Sequence, residues 1–230
     1  MYSLLQNYFL FIDTETSGLP KNWKASYDKE KNWPYIIQIA WIVYDQDLNE
    51  VERQNHFIKN TDFKIEKSSQ KIHHITADDL QFHGKSRETV MMAFYQDVKK
   101  YQPIVIGHFM EFDYHMINVE FQRIGMTDVL ANLPLFCTMK ASKPHVKNPD
   151  VELLKLNDFY FELFNEKPKH FHDALSDALN TARIFFHLLK NGEITENSIN
   201  QQVNDFSLTN EASNTEISSA KKFINRLFSF

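Results

Sequence analysis

The chain has 230 residues, of which 43% are hydrophobic and 14% aromatic, so it is long enough for a sizeable core and too apolar to be mainly disordered. Its net charge of -5 excludes an overall basic surface, so we expect any contact with nucleic acid to be local. The single cysteine, Cys137, excludes a disulfide framework and predicts a cytoplasmic protein. No apolar run reaches the roughly 20 residues that span a bilayer, so no membrane contact is expected.

Short apolar runs predict the strands of a sheet. Residues 8–13 (YFLFID) and 36–45 (IIQIAWIVYD) have the composition of strands that are buried on both faces. Residues 52–58 could pair with the second run as an edge strand. Two further strands are predicted at residues 103–107 and 133–138.

Helices are predicted between and after the later strands. Thr76 and Ser86 occupy capping positions before two of them, and Gly125 is the stop signal of a third, in which Met116 to Ile124 show helical spacing. Further helical patterns cover residues 151–164 and 173–190. Three early strands followed by alternating helices and strands predict an α/β fold, a mixed β-sheet flanked by helices.

The composition changes near Lys190. We predict that residues 1–190 form the domain and that the polar residues 191–215 form a linker. Residues 216–230 have apolar side chains at helical spacing, which predicts a short amphipathic C-terminal helix. That helix could dock on a partner or pack on its own domain.

Two carboxylates end the first predicted strand. Asp13 and Glu15 are two residues apart, so their side chains point to the same face. The pattern Asp-x-Glu also occurs at residues 28–30 and 150–152, where solvated acids explain it. Asp13, in contrast, ends a run with no other polar side chain and needs a cation or hydrogen bonds if it is partly buried.

Three more residues complete a candidate site. Asp113 begins a helix after the strand at 103–107, where open α/β folds bind ligands, although an acid there also complements the helix dipole. His172 precedes the helix that contains Asp177; His-x-x-x-x-Asp occurs five times, and this copy stands immediately before a strongly amphipathic helix. Four carboxylates suit two divalent cations, Mg²⁺ or Mn²⁺, about 4 Å apart, for phosphodiester hydrolysis with the histidine as proton acceptor.

The segments around these residues resemble the motifs of a known family, the DEDDh exonucleases, typified by the epsilon proofreading subunit of bacterial DNA polymerase III and by ribonuclease T. The three main motifs are matched at residues 9–20 (FLFIDTETSGLP), 106–117 (IGHFMEFDYHMI) and 172–185 (HDALSDALNTARIF). Shorter matches lie between them, in the family's order, at residues 33–41, 72–76 and 136–139. The resemblance implies a ribonuclease H-like fold.

The resemblance also implies a 3′-to-5′ exonuclease with a role for each site residue. Asp13, Glu15 and Asp177 would hold the first divalent cation, and Asp13 would also reach the second. Asp113 would complete the acidic set, and His172 would be the general base. The implied contacts to the terminal nucleotide are Thr16, Ser17, Gly18, Leu19, Ile75 and His108.

We expect the substrate to be DNA with single-stranded 3′ ends. An exoribonuclease that trims RNA ends remains an alternative, because the two-metal mechanism does not distinguish the sugar. A non-catalytic nucleic-acid-binding module on the same fold is a second alternative, and the intact set of site residues argues against it. A DNA polymerase or a sliding clamp is the partner considered for residues 216–230.

Three features depart from the family's pattern. Phe109 stands where relatives commonly have Asn, and His74 stands where they commonly have Gly. Neither change removes a metal ligand, but both alter the expected shape of the nucleotide pocket. The predicted loop at residues 21–33 is longer than in compact relatives, and its four lysines are interpreted as a solvated charge run or as phosphate contacts.

Overall fold

A five-stranded mixed β-sheet forms the centre of the protein, as seen in a computed structural model that describes residues 7–59, 63–168 and 172–211. The strand order is β3-β2-β1-β4-β5. The first three strands are antiparallel neighbours, and β4 and β5 continue the sheet parallel to β1. The strands are β1 (Tyr8–Thr16), β2 (Ile36–Asp45), β3 (Glu50–Phe57), β4 (Ile104–Gly107) and β5 (Leu135–Cys137).

Helices cover both faces of this sheet. Thr76 and Ser86 cap two of them as predicted, because their hydroxyl oxygens accept the backbone N–H groups of Asp79 and Thr89. The helices are α1 (Lys67–His73), α2 (Ala77–His83), α3 (Arg87–Tyr101), α4 (Met110–Arg123), α5 (Thr138–Ala141), α6 (Leu156–Phe164), α7 (Ala174–Lys190) and α8 (Glu196–Glu211). The predicted α/β fold, with a mixed sheet flanked by helices, is confirmed.

The core lies on both sides of β1, as its apolar run predicts. Phe9 and Phe11 pack on one face with the aromatic side chains of α7, while Leu10 and Ile12 pack on the other face against α3 and α4. This double burial fixes the register of β1 and therefore the direction in which Asp13 points. Among the described residues, no helix combines the length and the apolar character needed to cross a membrane.

The segment predicted as a polar linker contains helix α8, which packs against β5. Ile199 and Phe206 are buried, and the side-chain amide of Gln202 exchanges hydrogen bonds with both backbone groups of Cys137, at 2.9 and 3.3 Å. The prediction of a polar linker at residues 191–215 is therefore corrected, because Glu196–Glu211 form a helix. The reason is that a few apolar residues at helical spacing suffice to bury one face of a helix, although the average composition of the segment is polar. The helix predicted at residues 216–230 lies outside the described residues.

Candidate active site

A cleft of about 300 Å³ lies at the end of β1, next to the carboxyl end of β4. Parallel strands of an open α/β sheet bring ligand-binding groups together at this edge. All five residues predicted to be catalytic line the cleft: Asp13, Glu15, Asp113, His172 and Asp177. Side chains that are far apart in the sequence thus lie in one cleft.

Each carboxylate is positioned by its own element. Asp13 and Glu15 share a face of β1 and are partly exposed to the cleft. Asp113 lies in the first turn of α4, is 2% exposed, and accepts a hydrogen bond of 2.7 Å from the Thr14 hydroxyl. Asp177 lies in the first turn of α7, and its Oδ2 accepts the backbone N–H of His172 at 3.1 Å.

The carboxylates destabilise one another's charged forms. Burial, and then the charges of Asp177 and Asp113, raise the pKa of Asp13 and of Glu15 well above their ordinary values. Burial raises the pKa of Asp113 and of Asp177 to about 7. In the absence of a compensating cation, this site therefore holds protons that isolated carboxyl groups would release.

The residues of the cleft fit hard divalent cations. Asp177 Oδ1 is buried and has no hydrogen-bond partner among the described residues. Glu15, His172 and Asp177 each offer a ligand atom, and these three atoms lie within 4.8 Å of one another. An unpartnered carboxylate oxygen among several acids is the donor chemistry that Mg²⁺ and Mn²⁺ prefer.

His172 stands at the rim of the acidic cluster with an unusual backbone. Its φ of 58° is left-handed, and this turn directs its N–H to Asp177 while its ring lines the cleft. Burial lowers the pKa of the ring, and the nearby charges of His74 and Lys155 lower it further. The ring is therefore neutral at neutral pH and able to accept a proton.

Sequence reasoning missed Gln38, a buried residue of β2 that holds the start of α7. Its Nε2 donates to Asp173 Oδ2 at 2.9 Å and to Asn55 Oδ1 at 3.0 Å, and its Oε1 accepts the N–H of Ala174 at 3.3 Å. Asp173 also caps α7 by accepting the N–H of Ser176. The sequence did contain an indication of this role, because Gln38 is the one polar side chain in the run IIQIAWIV. A buried amide in such a run needs hydrogen-bond partners.

We expect Gln38→Leu to lower kcat by roughly tenfold, because α7 loses the bonds that fix the position of Asp177 relative to β1. The same change should reduce the free energy of unfolding by about 1–3 kcal/mol, since buried polar partners are left unsatisfied. Steady-state kinetics and thermal melting measure the two effects. Gln46→Leu, at an exposed turn, is the control. A Gln38→Leu protein with lowered stability but full kcat would show that Gln38 does not position the site.

The residues predicted to contact the nucleotide divide into two groups. Thr16, Gly18 and Leu19 line the cleft. Ser17 and Ile75 are not among the described residues that line it. Ser17 is buried and accepts the N–H of Tyr35, and Ile75 packs with Ile37 and Leu80 in a small apolar cluster. These contacts belong to the folded chain, and a nucleotide contact of either residue stays a prediction.

His108 lines the cleft, but both of its ring nitrogens are engaged within the protein. Nδ1 lies 3.0 Å from the Thr138 hydroxyl, and Nε2 lies 3.1 Å from the carbonyl oxygen of Leu154. Burial lowers its pKa to about 4, so the ring is neutral. His108 thus ties the end of β4 to the segment that precedes α6, and its ring is committed to that contact.

The rest of the cleft wall includes Phe109, which the sequence placed at the nucleotide pocket, and residues that were not assigned to the site. One part is apolar and consists of Ile72, Phe109, Phe112, Met139 and Leu156. Another part is polar and consists of Thr14, Ser69, His73, Lys155 and Asn157. Ile72 and His73 belong to the same short motif as Ile75, and these two members of the motif line the cleft.

The loop at residues 21–33 is anchored by its aromatic residues. Trp23 is buried, with its ring 6.0 Å from that of Phe109 and 5.9 Å from that of Phe112. Tyr27 donates or accepts a hydrogen bond of 2.8 Å with His115 of α4. The four lysines of the loop are exposed. The loop therefore braces the apolar wall of the cleft from the outside.

Known exonucleases match the chain in sequence and in fold. Residues 10–185 match the family described as Exonuclease (RNase_T). The PolC-type DNA polymerase III of Pediococcus pentosaceus is 24% identical over 207 residues, which are 89% of this chain and 13% of that protein. The chain therefore spans about an eighth of the curated relative it matches.

Solved structures with the same fold include two nucleases. Exonuclease I of E. coli in complex with a dT13 oligonucleotide superposes with a TM-score of 0.65 at 18% identity, over 80% of this chain and 41% of that chain. A 3′-exonuclease in a structure of 3′-end specific recognition of a histone mRNA stem-loop superposes with a TM-score of 0.60 at 17% identity, over 81% of this chain and 65% of that one. Both likenesses support the ribonuclease H-like fold.

The family match covers three quarters of the chain and includes every residue of the acidic cluster. It begins within β1, before Asp13, and ends in α7, after Asp177. The mixed sheet flanked by helices agrees with it. The chain therefore belongs to the exonuclease family of the DEDDh superfamily.

Proposed function

We propose that this chain is a metal-dependent 3′-to-5′ exonuclease that removes nucleotides from the 3′ ends of DNA. The observation that supports this most directly is the convergence of four carboxylates and a neutral histidine in one cleft. Their raised pKa values and the unpartnered oxygen of Asp177 call for cationic compensation. The proposed ligands of two divalent cations, Mg²⁺ or Mn²⁺, are Asp13, Glu15, Asp113 and Asp177.

The residues of the chain perform the remaining tasks of hydrolysis. Two bound divalent cations would supply electrostatic stabilisation of the attacking and leaving oxygens. A ring nitrogen of His172 accepts the proton of the attacking water, and the lowered pKa keeps that nitrogen free. The hydrogen bond from the His172 backbone to Asp177 keeps the proton acceptor and the carboxylate in a fixed relation. The Thr14 hydroxyl donates a hydrogen bond to Asp113 and so holds the Asp113 carboxylate in position.

We expect single-stranded 3′ ends to be digested faster than blunt duplex, because a cleft of about 300 Å³ with an apolar wall suits an unpaired terminal nucleotide. The net charge of -5 also predicts a weaker salt dependence than that of a protein contacting about 6–10 phosphates. Digestion of end-labelled oligonucleotides at several salt concentrations measures both. A duplex with a frayed 3′ end is the control, and faster digestion of the blunt duplex would contradict the proposal.

Trimming of RNA 3′ ends is the second candidate. It is favoured by the likeness to a 3′-exonuclease of a histone mRNA stem-loop, of which this chain covers 65%. RNA and DNA strands of one sequence, digested side by side with Mg²⁺ or Mn²⁺, distinguish the two candidates. A binding module without catalysis is disfavoured, since all four carboxylates and His172 are present in the cleft.

The proposed function also implies a partner and a location for the chain. A DNA polymerase or a sliding clamp is the proposed partner of residues 216–230, and the likeness to a PolC-type DNA polymerase III supports the association with replication. The cytoplasm is the proposed location. The buried, free Cys137 fits such a reducing compartment.

A further inference from the structure

A carboxylate of α4 is buried beside two guanidinium groups. Glu120 is fully buried, and its two oxygens lie 2.6 Å from Arg123 of the same helix and 2.6 Å from Arg87 at the start of α3. Removing charged groups from water costs free energy that their mutual attraction often fails to repay, so a buried ion pair is weak evidence for stability. The cluster therefore calls for a purpose that apolar side chains of similar volume would not serve.

The pair Glu120–Arg123 makes directional hydrogen bonds to the backbone around the start of β2. Glu120 Oε1 accepts the N–H of Ile36, the first residue of β2, at 2.9 Å. The Arg123 guanidinium donates to the carbonyl oxygens of Pro34 and Trp33, at 2.9 and 3.0 Å. Apolar side chains could fill the same space but could not make these bonds. The pair thus holds the backbone that leads into β2.

The held backbone lies where the pairing of β1 and β2 becomes irregular. Glu15 pairs with Gln38 in the regular register. The next residue, Thr16, pairs with Ile36, so Ile37 is an extra residue of β2. An extra residue of this kind bends the strand and leaves backbone groups that need other partners. The buried carboxylate is such a partner, because it accepts the N–H of Ile36.

Tyr35 connects the pair Glu120–Arg123 with the backbone that follows Glu15. The N–H of Tyr35 donates to the Ser17 hydroxyl at 2.9 Å, and its carbonyl oxygen accepts the Ser17 N–H at 2.8 Å. The guanidinium carbon of Arg123 lies 3.7 Å from the centre of the Tyr35 ring. Arg123 and Ser17 therefore contact the same residue. A shift of the pair would move the end of β1 as well as the start of β2.

We propose that Glu120 is a positioning residue that, together with Arg123, fixes the irregular pairing of β1 and β2 so that the Glu15 carboxylate is directed at the divalent cation. The inference rests on the proposed function, in which Glu15 is a metal ligand. Glu120 itself is not among the described residues that line the cleft, so its effect passes through the backbone. Mg²⁺ demands near-ideal octahedral geometry, so a small displacement of one ligand weakens its binding.

Arg123→Lys tests the hold on the backbone in the metal-free protein. Lysine keeps a positive charge beside Glu120 but lacks the planar fork that reaches two carbonyl oxygens. The backbone amides of Ser17 and Ile36 should exchange with solvent at least about tenfold faster than in the wild type, as measured by NMR. Glu120→Gln keeps an acceptor for the Ile36 N–H and removes the charge, and it should change the exchange in the same direction.

The response to Mg²⁺ tests the effect on the cation. For Arg123→Lys, the Mg²⁺ concentration needed for a given rise in melting temperature should be roughly 10- to 100-fold higher than for the wild type, as for other residues that orient metal ligands. The Mg²⁺ dependence of kcat should shift by the same factor. At saturating Mg²⁺, kcat should return to within about threefold of the wild type, because no group of the cleft has been removed.

Val98→Ala is the matched control for a loss of stability alone. Val98 is buried in α3 and is not among the described residues that line the cleft. The smaller side chain should lower the melting temperature without changing the Mg²⁺ requirement.

The inference is overturned if Arg123→Lys keeps the wild-type exchange at Ser17 and Ile36, or if Val98→Ala raises the Mg²⁺ requirement as much as Arg123→Lys does. Should Glu120→Gln not fold, Arg123→Lys decides alone. Absence of any digestion by the wild type would contradict the proposed function alone, because amide exchange and the Mg²⁺ response of the melting temperature still test the positioning.

Discussion

Replacing Asp13 by Ala is expected to abolish exonuclease activity and, at neutral pH, to raise the melting temperature of the metal-free protein. Activity should be lost because Asp13 is proposed to contact both cations. The gain in stability has a separate cause. Asp13 is placed among the charges of Asp177, Asp113 and Glu15, and these charges, together with burial, raise its pKa. Removing one member of a group of like charges relieves the repulsion among the others.

The pH dependence of stability explains why Asp13→Ala should raise the melting temperature of the metal-free protein. The pKa of Asp113 and of Asp177 rises from 3.8 to about 7 on folding, so the folded protein binds protons that the unfolded chain has released. The metal-free protein should therefore lose stability as the pH rises through this window. Mg²⁺ should offset the loss in the wild type, because a ligand that binds only the folded state raises the melting temperature. Asp13→Ala should show a smaller loss and little response to Mg²⁺.

Melting curves at pH 5 and pH 7.5, with EDTA or with Mg²⁺, measure these effects beside an activity assay. Asp28→Ala is the matched control, because Asp28 belongs to the same Asp-x-Glu pattern but is exposed in the loop. It should change neither activity nor the response to Mg²⁺. Activity of Asp13→Ala within about threefold of the wild type would falsify the assignment of Asp13 as a metal ligand.

Replacing His172 by Gly is expected to lower kcat by roughly 10²- to 10⁴-fold, which is the usual contribution of a general base. Glycine is chosen because φ is 58° at this position, where glycine is unstrained, so the fold should not suffer. The response of the melting temperature to Mg²⁺ should persist in this variant. Added imidazole should restore part of kcat by supplying the missing proton acceptor.

The pH profile tests the role of His172 independently of the rate. Only the neutral ring accepts a proton, so the kcat of the wild type should fall as the pH drops through the pKa of His172, which burial places below its ordinary value. At saturating Mg²⁺ the variant should lack this acid limb. Asp128→Gly is the matched control, since Asp128 is exposed, has φ 61° and does not line the cleft. If the variant retains the wild-type profile, another group accepts the proton.

The sequence predicted the parts of the fold that depend on local pattern. The apolar runs of β1 and β2 and the caps at Thr76 and Ser86 follow from neighbours a few residues away, and the structure confirms them. The shared face of Asp13 and Glu15 follows from the strand period of two. The inclusion of Asp177 rested on its place in a strongly amphipathic helix after His172, on the chemistry of two divalent cations and on the family's motifs.

The contacts that were missed join residues far apart in the chain. Thr14 bonds Asp113 across 99 positions, and Gln38 bonds Asp173 across 135, and no local period indicates such partners. The conformation of Phe109 was equally hidden, because its residue type argues against a left-handed backbone. Local sequence patterns therefore identified the candidate catalytic residues. The contacts that hold these residues in position could be identified only from the folded structure.

Helix α8 also covers the edge of the sheet at β5. Among the strands that the structure describes, β5 is the outermost on its side, and an edge strand with bare N–H and C=O groups is a template for pairing with another chain. Gln202 bonds both backbone groups of Cys137, as a neighbouring strand would, and so blocks this edge. A fragment that ends at residue 190 would lack α8, so the backbone groups at the edge of β5 would be exposed. We expect this fragment to aggregate through pairing of β5 with strands of other molecules.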